Sequence, residues 1–391
     1  MRTYEQTHPW LRFQVDLSIA APSLWISLGE CQSKCEHIAR VPLRPDTSER
    51  LFKVYLAKGA LASSAIEGNT LTEQQVLEHL EGRLELPPSQ RYLQKEVDNI
   101  IKVCNEILTH IPTGTGLDLD SDRIKRINAQ VLDGLPLPDY VVPGTLRTYP
   151  VTVGSYRGVP PEDCGFLLDR LCQWLSSDPF TPRPGYEIAT AILKSIVAHL
   201  YMAWIHPFGD GNGRTARLIE FQILISSGVP APAAHLLSNH YNQTRTEYYR
   251  QLVQASSSGG DIMPFVLYAV QGFLDGLKSQ LDLIWEQEWD ITWRNYVHEL
   301  LGREPGRTAT RRRHLALDLS RKDQAVPIAD IPQISPRMAK EYANKTQKTI
   351  TRDLKELIKR GVAEKTAIGY RAKKEIIISF LPQRVPISRG A

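Results

Sequence analysis

His206-Pro207-Phe208-Gly209-Asp210-Gly211-Asn212-Gly213-Arg214-Thr215-Ala216-Arg217 is the stretch on which the reading of this chain turns. An apolar helical pattern, Ile188 to Trp204, runs into it. Another, Leu218 to Ile225, runs out. Pro207, Gly209, Gly211 and Gly213 oppose a continuous helix, so the pattern predicts helix, tight loop, helix. Backbone N–H groups from Gly211 to Gly213 would open the second helix, where donors lack intrahelical partners and the dipole favours negative charge. That makes an anion site suited to phosphate. Arg214 and Arg217 are three apart, share a helix face and can hold further phosphates. Asp210 is a hard oxygen ligand suited to Mg²⁺. His206 is the one side chain here whose ordinary pKa suits a general base near neutrality. The plain alternative is a surface loop with a satisfied histidine, but five polar roles in order argue against it.

The stretch resembles the signature of the Fic family, His-Pro-Phe-x-Asp-Gly-Asn-Gly-Arg-x-x-Arg, with every fixed position met. The resemblance implies a mainly α fold. It would comprise a Fic-type helical domain with a β-hairpin flap and an N-terminal helical segment before it; residues 305–391 separately resemble a winged helix-turn-helix domain. The Fic resemblance also implies an activity: transfer of AMP from ATP, with Mg²⁺, to a hydroxyl of a target protein. His206 would be the catalytic base and Asp210 the Mg²⁺ ligand. Gly211, Asn212, Gly213, Arg214 and Arg217 would hold the nucleotide.

Upstream, Leu51, Val54, Leu56, Leu61 and Ile66 give an apolar helix face that ends at Glu67-Gly68-Asn69-Thr70. Gly68 is a reasonable residue to follow a helix end, and Thr70-x-x-Glu73 could cap the next helix as a capping box. Glu67 then lies at the wrong end of the helix dipole and costs stability unless a cation partners it. Ser63-Ser64-Ala65-Ile66-Glu67-Gly68-Asn69 resembles the family's inhibitory motif, with Ser63 and Glu67 at its fixed positions. The resemblance implies that Glu67 pairs with Arg217 and denies that guanidinium to the γ-phosphate of ATP. This would be the N-terminally inhibited class. Without that pairing, Glu67 faces solvent in a turn.

Residues 140–163 are rich in β-formers, Val141, Val142, Leu146, Tyr149, Val151 and Val153, with glycines at 144, 154 and 158. This hairpin resembles the family flap, which docks target segments by strand addition. Val151, Thr152, Val153 and Gly154 would border the adenosine. The alternative is a structural hairpin at the domain edge. Tyr248 and Tyr249 resemble a position framing adenine and ribose, though either could simply pack a helix. Ser256 stands where relatives carry an Asn that contacts the base. His199, seven before His206, reads as a core histidine.

The remaining sequence bounds the answer. At 391 residues two or three domains are expected, and 42% hydrophobic content suits a real core. No stretch is expected to reach the roughly 20 apolar residues that span a bilayer. The N-terminus lacks a signal-peptide pattern, so cytoplasm is the default. Cys31, Cys35, Cys104, Cys164 and Cys172 read as reduced core thiols. An irregular arm leads to a helix near Leu24–Ile38 and a linker-like break at Pro42-Leu43-Arg44-Pro45. His8-Pro9-Trp10-Leu11 resembles the N-terminal segment of many bacterial Fic proteins. Helices follow over 90–135, with a turn at Pro112-Thr113-Gly114-Thr115-Gly116, and a closing helix over 262–288.

Charge is uneven. Residues 302–391 carry 21 Lys and Arg against 9 Asp and Glu, leaving 26 against 34 elsewhere. An acidic body with a basic tail points to an anionic partner. Within the tail, Pro336–Tyr342 and Thr346–Lys359 read as helix-turn-helix. Ala363–Lys365 and Glu375–Phe380 read as a two-stranded wing. The resulting winged helix could bind DNA, through Lys345, Lys348, Arg352 and Lys355, or protein.

The sequence therefore predicts an N-terminal helical segment over 1–110, a catalytic domain over 111–290 and a winged-helix domain over 305–391. The expected function is a protein adenylyltransferase restrained by Glu67. Two alternatives stay open: removal of AMP by the same site, and a DNA-binding regulator that senses nucleotide. A homodimer is also open.

Overall fold

The computed structural model describes residues 2–42, 45–110, 118–154, 156–302 and 305–378. The turn expected over 112–116 lies outside them, as do Leu43 and Arg44 of the linker-like break. The chain forms two compact units, 1–281 and 282–391. The boundary falls inside one long helix rather than at 290–305. The N-terminal 110 residues do not stand apart, because one continuous core runs from Tyr4 to Leu277.

The first unit contains α1 (Thr3–Thr7), α2 (Pro22–Arg40), α3 (Pro45–Ile66), α4 (Glu73–Leu80), α5 (Arg91–His110) and α6 (Ser121–Val131). The hairpin β1 (Thr152–Val153) and β2 (Tyr156–Arg157) follows, then α7 (Cys164–Leu175), α8 (Glu187–Ile205) and α9 (Asn212–Ser226). The unit closes with α10 (Ala231–Ala234), α11 (Leu236–Gln243), α12 (Arg245–Ser257) and the start of α13 (Met263–Leu301). The hairpin is shorter than its β-formers suggest: only Thr152↔Arg157 and Val153↔Tyr156 pair. Residues 140–151 run without regular strand, held instead by Arg147, as described below. Gln75, not Glu73, completes the capping box of α4. Its side chain accepts from Thr72 N at 2.9 Å, and Thr72 Oγ1 accepts from Gln75 N at 3.2 Å.

The core is built on α8 and α9, which pack against each other and are buried on nearly every face. Helix α8 is apolar all round, the pattern of a central helix. Its nineteen residues reach a mean hydropathy of 1.6 over an eighteen-residue window, enough by length and composition to cross a membrane. The sequence expectation of no such stretch is corrected here. Since 83% of that window is buried inside the fold, core packing accounts for its composition. The buried helix α9 instead carries Asn212, Arg214, Thr215, Arg217, Glu220 and Gln222. Buried polar groups are costly unless hydrogen-bonded, and these have partners: Gln222 accepts from Arg123 Nε at 3.0 Å, and Glu220 from Tyr241 Oη at 2.9 Å. The five cysteines are free and buried, and burial raises their pKa values, as core thiols require.

The second unit takes the rest of α13, then α14 (Arg307–Leu319), α15 (Pro336–Tyr342), α16 (Gln347–Lys359), β3 (Ala363–Lys365) and β4 (Tyr370–Ala372). Trp293, Val297, Leu315, Met338, Leu354 and Val362 are among its core. The second strand of its hairpin is Tyr370–Ala372 rather than Glu375–Phe380. Residues 374–377 form a 3₁₀ turn, and 379–380 lie outside the described residues.

Candidate active site

Helix α8 stops at Ile205 because His206 turns left-handed, with φ 48° and ψ 59°. A non-glycine residue there costs about 1–2 kcal/mol, so its surroundings must hold it. The buried Arg147 does so. Its Nε donates to His206 O at 2.8 Å, Nη1 to Tyr149 O at 2.8 Å and Nη2 to Val159 O at 2.6 Å. Its backbone N–H donates to Pro207 O at 3.0 Å, and Leu146 bridges to Phe208. One guanidinium thus ties the histidine to both ends of the hairpin segment. Arg147→Met would leave those carbonyls short of donors at about 1–3 kcal/mol for each that stays buried. Thermal unfolding should then fall by about 5 °C or more; an unchanged midpoint would show the strut idle.

Within the loop, Asn212 is committed to structure. Its Oδ1 accepts from Phe208 N at 2.9 Å and its Nδ2 donates to Phe208 O at 2.9 Å. Its side chain braces the loop, while its backbone N–H is among those that open α9. Asn128 Nδ2 donates to Asp210 O at 2.9 Å, and Asn128 Oδ1 accepts from Gly144 N at 2.9 Å. Gly211 precedes α9 with φ 74°, and no side chain caps the helix. The first-turn N–H groups of α9 are therefore presented as an anion cradle.

Glu67 occupies that cradle's rim. A Cβ built on Gly213 would lie 2.2 Å from Glu67 Oε1, so only glycine admits the carboxylate there. Arg217 Nη2 donates to Glu67 Oε1 at 2.6 Å and to Ser63 O at 2.9 Å; Arg217 Nε donates to Ser63 Oγ at 2.9 Å. This is the cation that the dipole argument demanded for Glu67. Burial raises the Glu67 pKa, but Arg217 and Arg214 outweigh it and hold the carboxyl below its usual value. The end of α3 is fixed further. Asn69 N donates to Ser64 O, with Gly68 at φ 103°, and Arg245 Nη1 donates to Ala65 O at 3.2 Å. Asn69 Nδ2 donates to Glu96 Oε2 at 2.8 Å, and Glu96 Oε1 accepts from Arg214 Nη1 at 3.3 Å. Arg214 Nη2 also donates to Asp210 Oδ1 at 3.2 Å. Arg214 and Arg217, both expected to hold phosphate, are thus paired with carboxylates.

A cavity opens beside these groups. Glu67, His206 and Gly213 line its polar end; Ile66, Val153, Tyr156, Ala203, Trp204, Ala216, Leu252 and Val253 line the rest, with His199, Tyr248 and Tyr249. An apolar slot with an anion cradle at one end suits a flat ring system carrying phosphates. Of the four hairpin residues expected at the nucleotide, Val153 lines the cavity and Val151, Thr152 and Gly154 do not. Tyr248 is buried and Tyr249 half-exposed. His199 is wholly buried, its Nε2 2.9 Å from Tyr248 Oη and its Nδ1 3.1 Å from Glu220 Oε2. Ser256 bonds Val253 O and stays outside the cavity.

Burial lowers the His206 pKa to about 4, assisted by Arg147 and opposed by Ala203 O, Glu67 and Asp210. Its Nδ1 lies 3.4 Å from Ala203 O. A proton on Nδ1 facing that carbonyl leaves Nε2 unprotonated, the form a general base requires.

The sequence missed Arg147, Asn128 and Glu96. Each is a solitary polar residue remote in sequence from the loop, with no spacing signal. The role of His8 was also hidden: its Nε2 lies 2.8 Å from Arg157 O, and Tyr156 Oη donates to Trp204 O at 2.8 Å, so β2 is anchored from both sides.

Residues 118–224 match the model of the Fic/DOC family. The chain is 30% identical over 227 residues to protein adenylyltransferase fic-1 of Caenorhabditis elegans, covering 56% of this chain and 41% of that one. It is 30% identical over 248 residues to protein adenylyltransferase Fic of Nematostella vectensis, covering 62% and 53%. It spans about half the length of the curated relatives it matches. Among solved structures, a Fic family protein from Desulfovibrio desulfuricans G20 aligns with a TM-score of 0.55 at 20% identity, over 90% of this chain and 96% of that one. Fic-1 (residues 134–508) of C. elegans aligns at 0.51 and 23%, over 67% and 74%. At these identities the structures speak to the fold alone. Residues 118–224 thus match a Fic domain, and the chain has the fold of Fic family structures.

Proposed function

We propose that this protein transfers AMP from ATP to a serine, threonine or tyrosine hydroxyl of a protein, its own chain included, and that Glu67 restrains the reaction. The observation carrying the proposal is the Glu67 carboxylate, bound at 2.6 Å to Arg217 and seated over Gly213. Carboxylate and phosphate compete for the same donors.

Adenine would enter the apolar slot between Tyr248, Tyr249 and Val153. Nε2 of His206 would take the proton of the target hydroxyl as its oxygen bonds to the α-phosphorus. The bond from that phosphorus to the bridging oxygen would break, releasing pyrophosphate. The N–H groups opening α9 would receive the developing charge. Arg214 and Arg217, once freed of carboxylates, would hold the β- and γ-phosphates. The hairpin at 152–157 would present the target segment by strand addition.

Asp210 fits a Mg²⁺ site of the kind that uses one carboxylate, substrate phosphates and water. One oxygen accepts from Gly211 N and Arg214 while the side chain is 45% exposed. When bound there, Mg²⁺ would neutralise phosphate charge. No cluster of three His, Cys, Asp or Glu exists among the described residues, in keeping with a metal shared with substrate.

The lowered His206 pKa predicts an unusual pH profile. An ordinary histidine would protonate and stop accepting protons as pH falls below about 6.5. With a pKa of about 4, His206 stays neutral down to that value. Removing Glu67 takes away a group that raises the pKa. Single-turnover AMP transfer by Glu67→Gly should therefore show no histidine inflection between pH 8 and about 5; an inflection near 6.5 would show that burial does not lower the pKa of His206.

The shared cavity of Glu67 and His206 also favours a second reading, in which ionised Glu67 positions a water for AMP removal. Wild type releasing AMP from the modified product of Glu67→Gly would support it; an inert product would exclude it.

A further inference from the structure

The second unit carries a charged surface that AMP transfer does not use. On α16, Lys348, Arg352, Lys355 and Lys359 are exposed. At about 100° per residue they fall in one stripe. The opposite side carries Ile350, Asp353, Leu354 and Leu357 into the core. Lys345 extends the stripe into the preceding turn; none of the five makes a hydrogen bond or ion pair among the described residues, and only Lys359 feels a nearby acid, Glu356.

Nearby acids do not offset the stripe. Asp353 is buried against Arg311 and Arg312, and Glu356 pairs with Arg360. Glu364 and Glu375 share Arg371, and Glu341 takes His314. Asp353, Glu356, Glu364 and Glu375 are thus neutralised by arginines within the unit, and the cations of the stripe are left over. Lys365 and Lys373, on or beside the β3–β4 hairpin, are likewise exposed and unpaired among the described residues.

We propose that the stripe on α16 is a docking surface for the phosphate backbone of double-stranded DNA. The helix is the second of a helix-turn-helix, α15 and α16 being joined by four residues. Its thirteen residues span about 20 Å, a length the major groove admits. No side chain caps its N-terminus, so its first N–H groups are open to phosphate. Beside the stripe, Gln347 and Thr351 offer groups that can reach base edges. The stripe contains no apolar residue, whereas the centre of a protein interface is apolar and poor in charge. This surface therefore fits a regular polyanion better than a protein.

The test is titration of the full-length protein with fluorescent duplex DNA across salt concentrations, beside K348A/R352A/K355A. Wild type should bind, with affinity falling steeply as salt rises. The triple variant should bind at least tenfold more weakly, with a log–log salt slope less steep by about three. Its circular dichroism should be unchanged, since the three exposed side chains make no hydrogen bond or ion pair among the described residues. No binding at about 50 mM salt, or equal binding by the variant, overturns the proposal. So does retention by polyglutamate without binding to DNA, which would assign the cations to an acidic protein.

Discussion

Glu67→Gly should raise AMP transfer about tenfold to a hundredfold over wild type at subsaturating ATP. A charge-assisted hydrogen bond is worth about 1.5–3 kcal/mol, and each 1.4 kcal/mol is tenfold. Wild type spends that interaction on the bond from Arg217 to Glu67. The variant keeps Arg217 in place, because Ser63 Oγ and Ser63 O still accept from it. The fold should survive as well. Position 67 follows the end of α3, where a carboxylate opposes the dipole and glycine is well tolerated. Initial rates over a range of ATP concentrations measure the effect. A variant that folds normally and transfers less AMP than wild type would remove the inhibitory role from Glu67.

His206→Ala should lower transfer by about 10²–10⁴, the usual contribution of a general base. Alanine is a poor tenant of a left-handed position, so His206→Asn is the better partner variant. Asparagine tolerates φ 48°, leaves the carbonyl that Arg147 holds, and cannot serve as the base. Both should still bind ATP once Glu67 is also replaced, since the cavity's apolar walls are untouched. Retention of a tenth or more of the activity by His206→Asn would place the base elsewhere.

The loop from His206 to Arg217 was legible because its residue types and spacing carry the chemistry locally. Glu67 was legible for a different reason: a carboxylate at a helix end needs a cation, and the resemblance named Arg217. Four features were not. Arg147 acts through carbonyls of residues it does not neighbour, so no pattern announces it. Asn212 is a polar residue in a polar loop, and nothing in the pattern announces that its side chain braces Phe208. The β-formers at 141–151 suggested strands, but the guanidinium of Arg147 and the side chain of Asn128 take up much of that segment's backbone bonding. Helix α13 crossed an expected boundary because nothing between Gly276 and Leu301 breaks a helix.

The most direct test of the account is incubation of Glu67→Gly with Mg²⁺ and ATP labelled at the α-phosphate, beside ATP labelled at the γ-phosphate. Label from the α-position should appear on protein and vanish in the Glu67→Gly, His206→Asn double variant. Label from the γ-position should leave as pyrophosphate. Protein labelled from the γ-position, or no label from either while ATP is bound, would contradict AMP transfer as the function of this site.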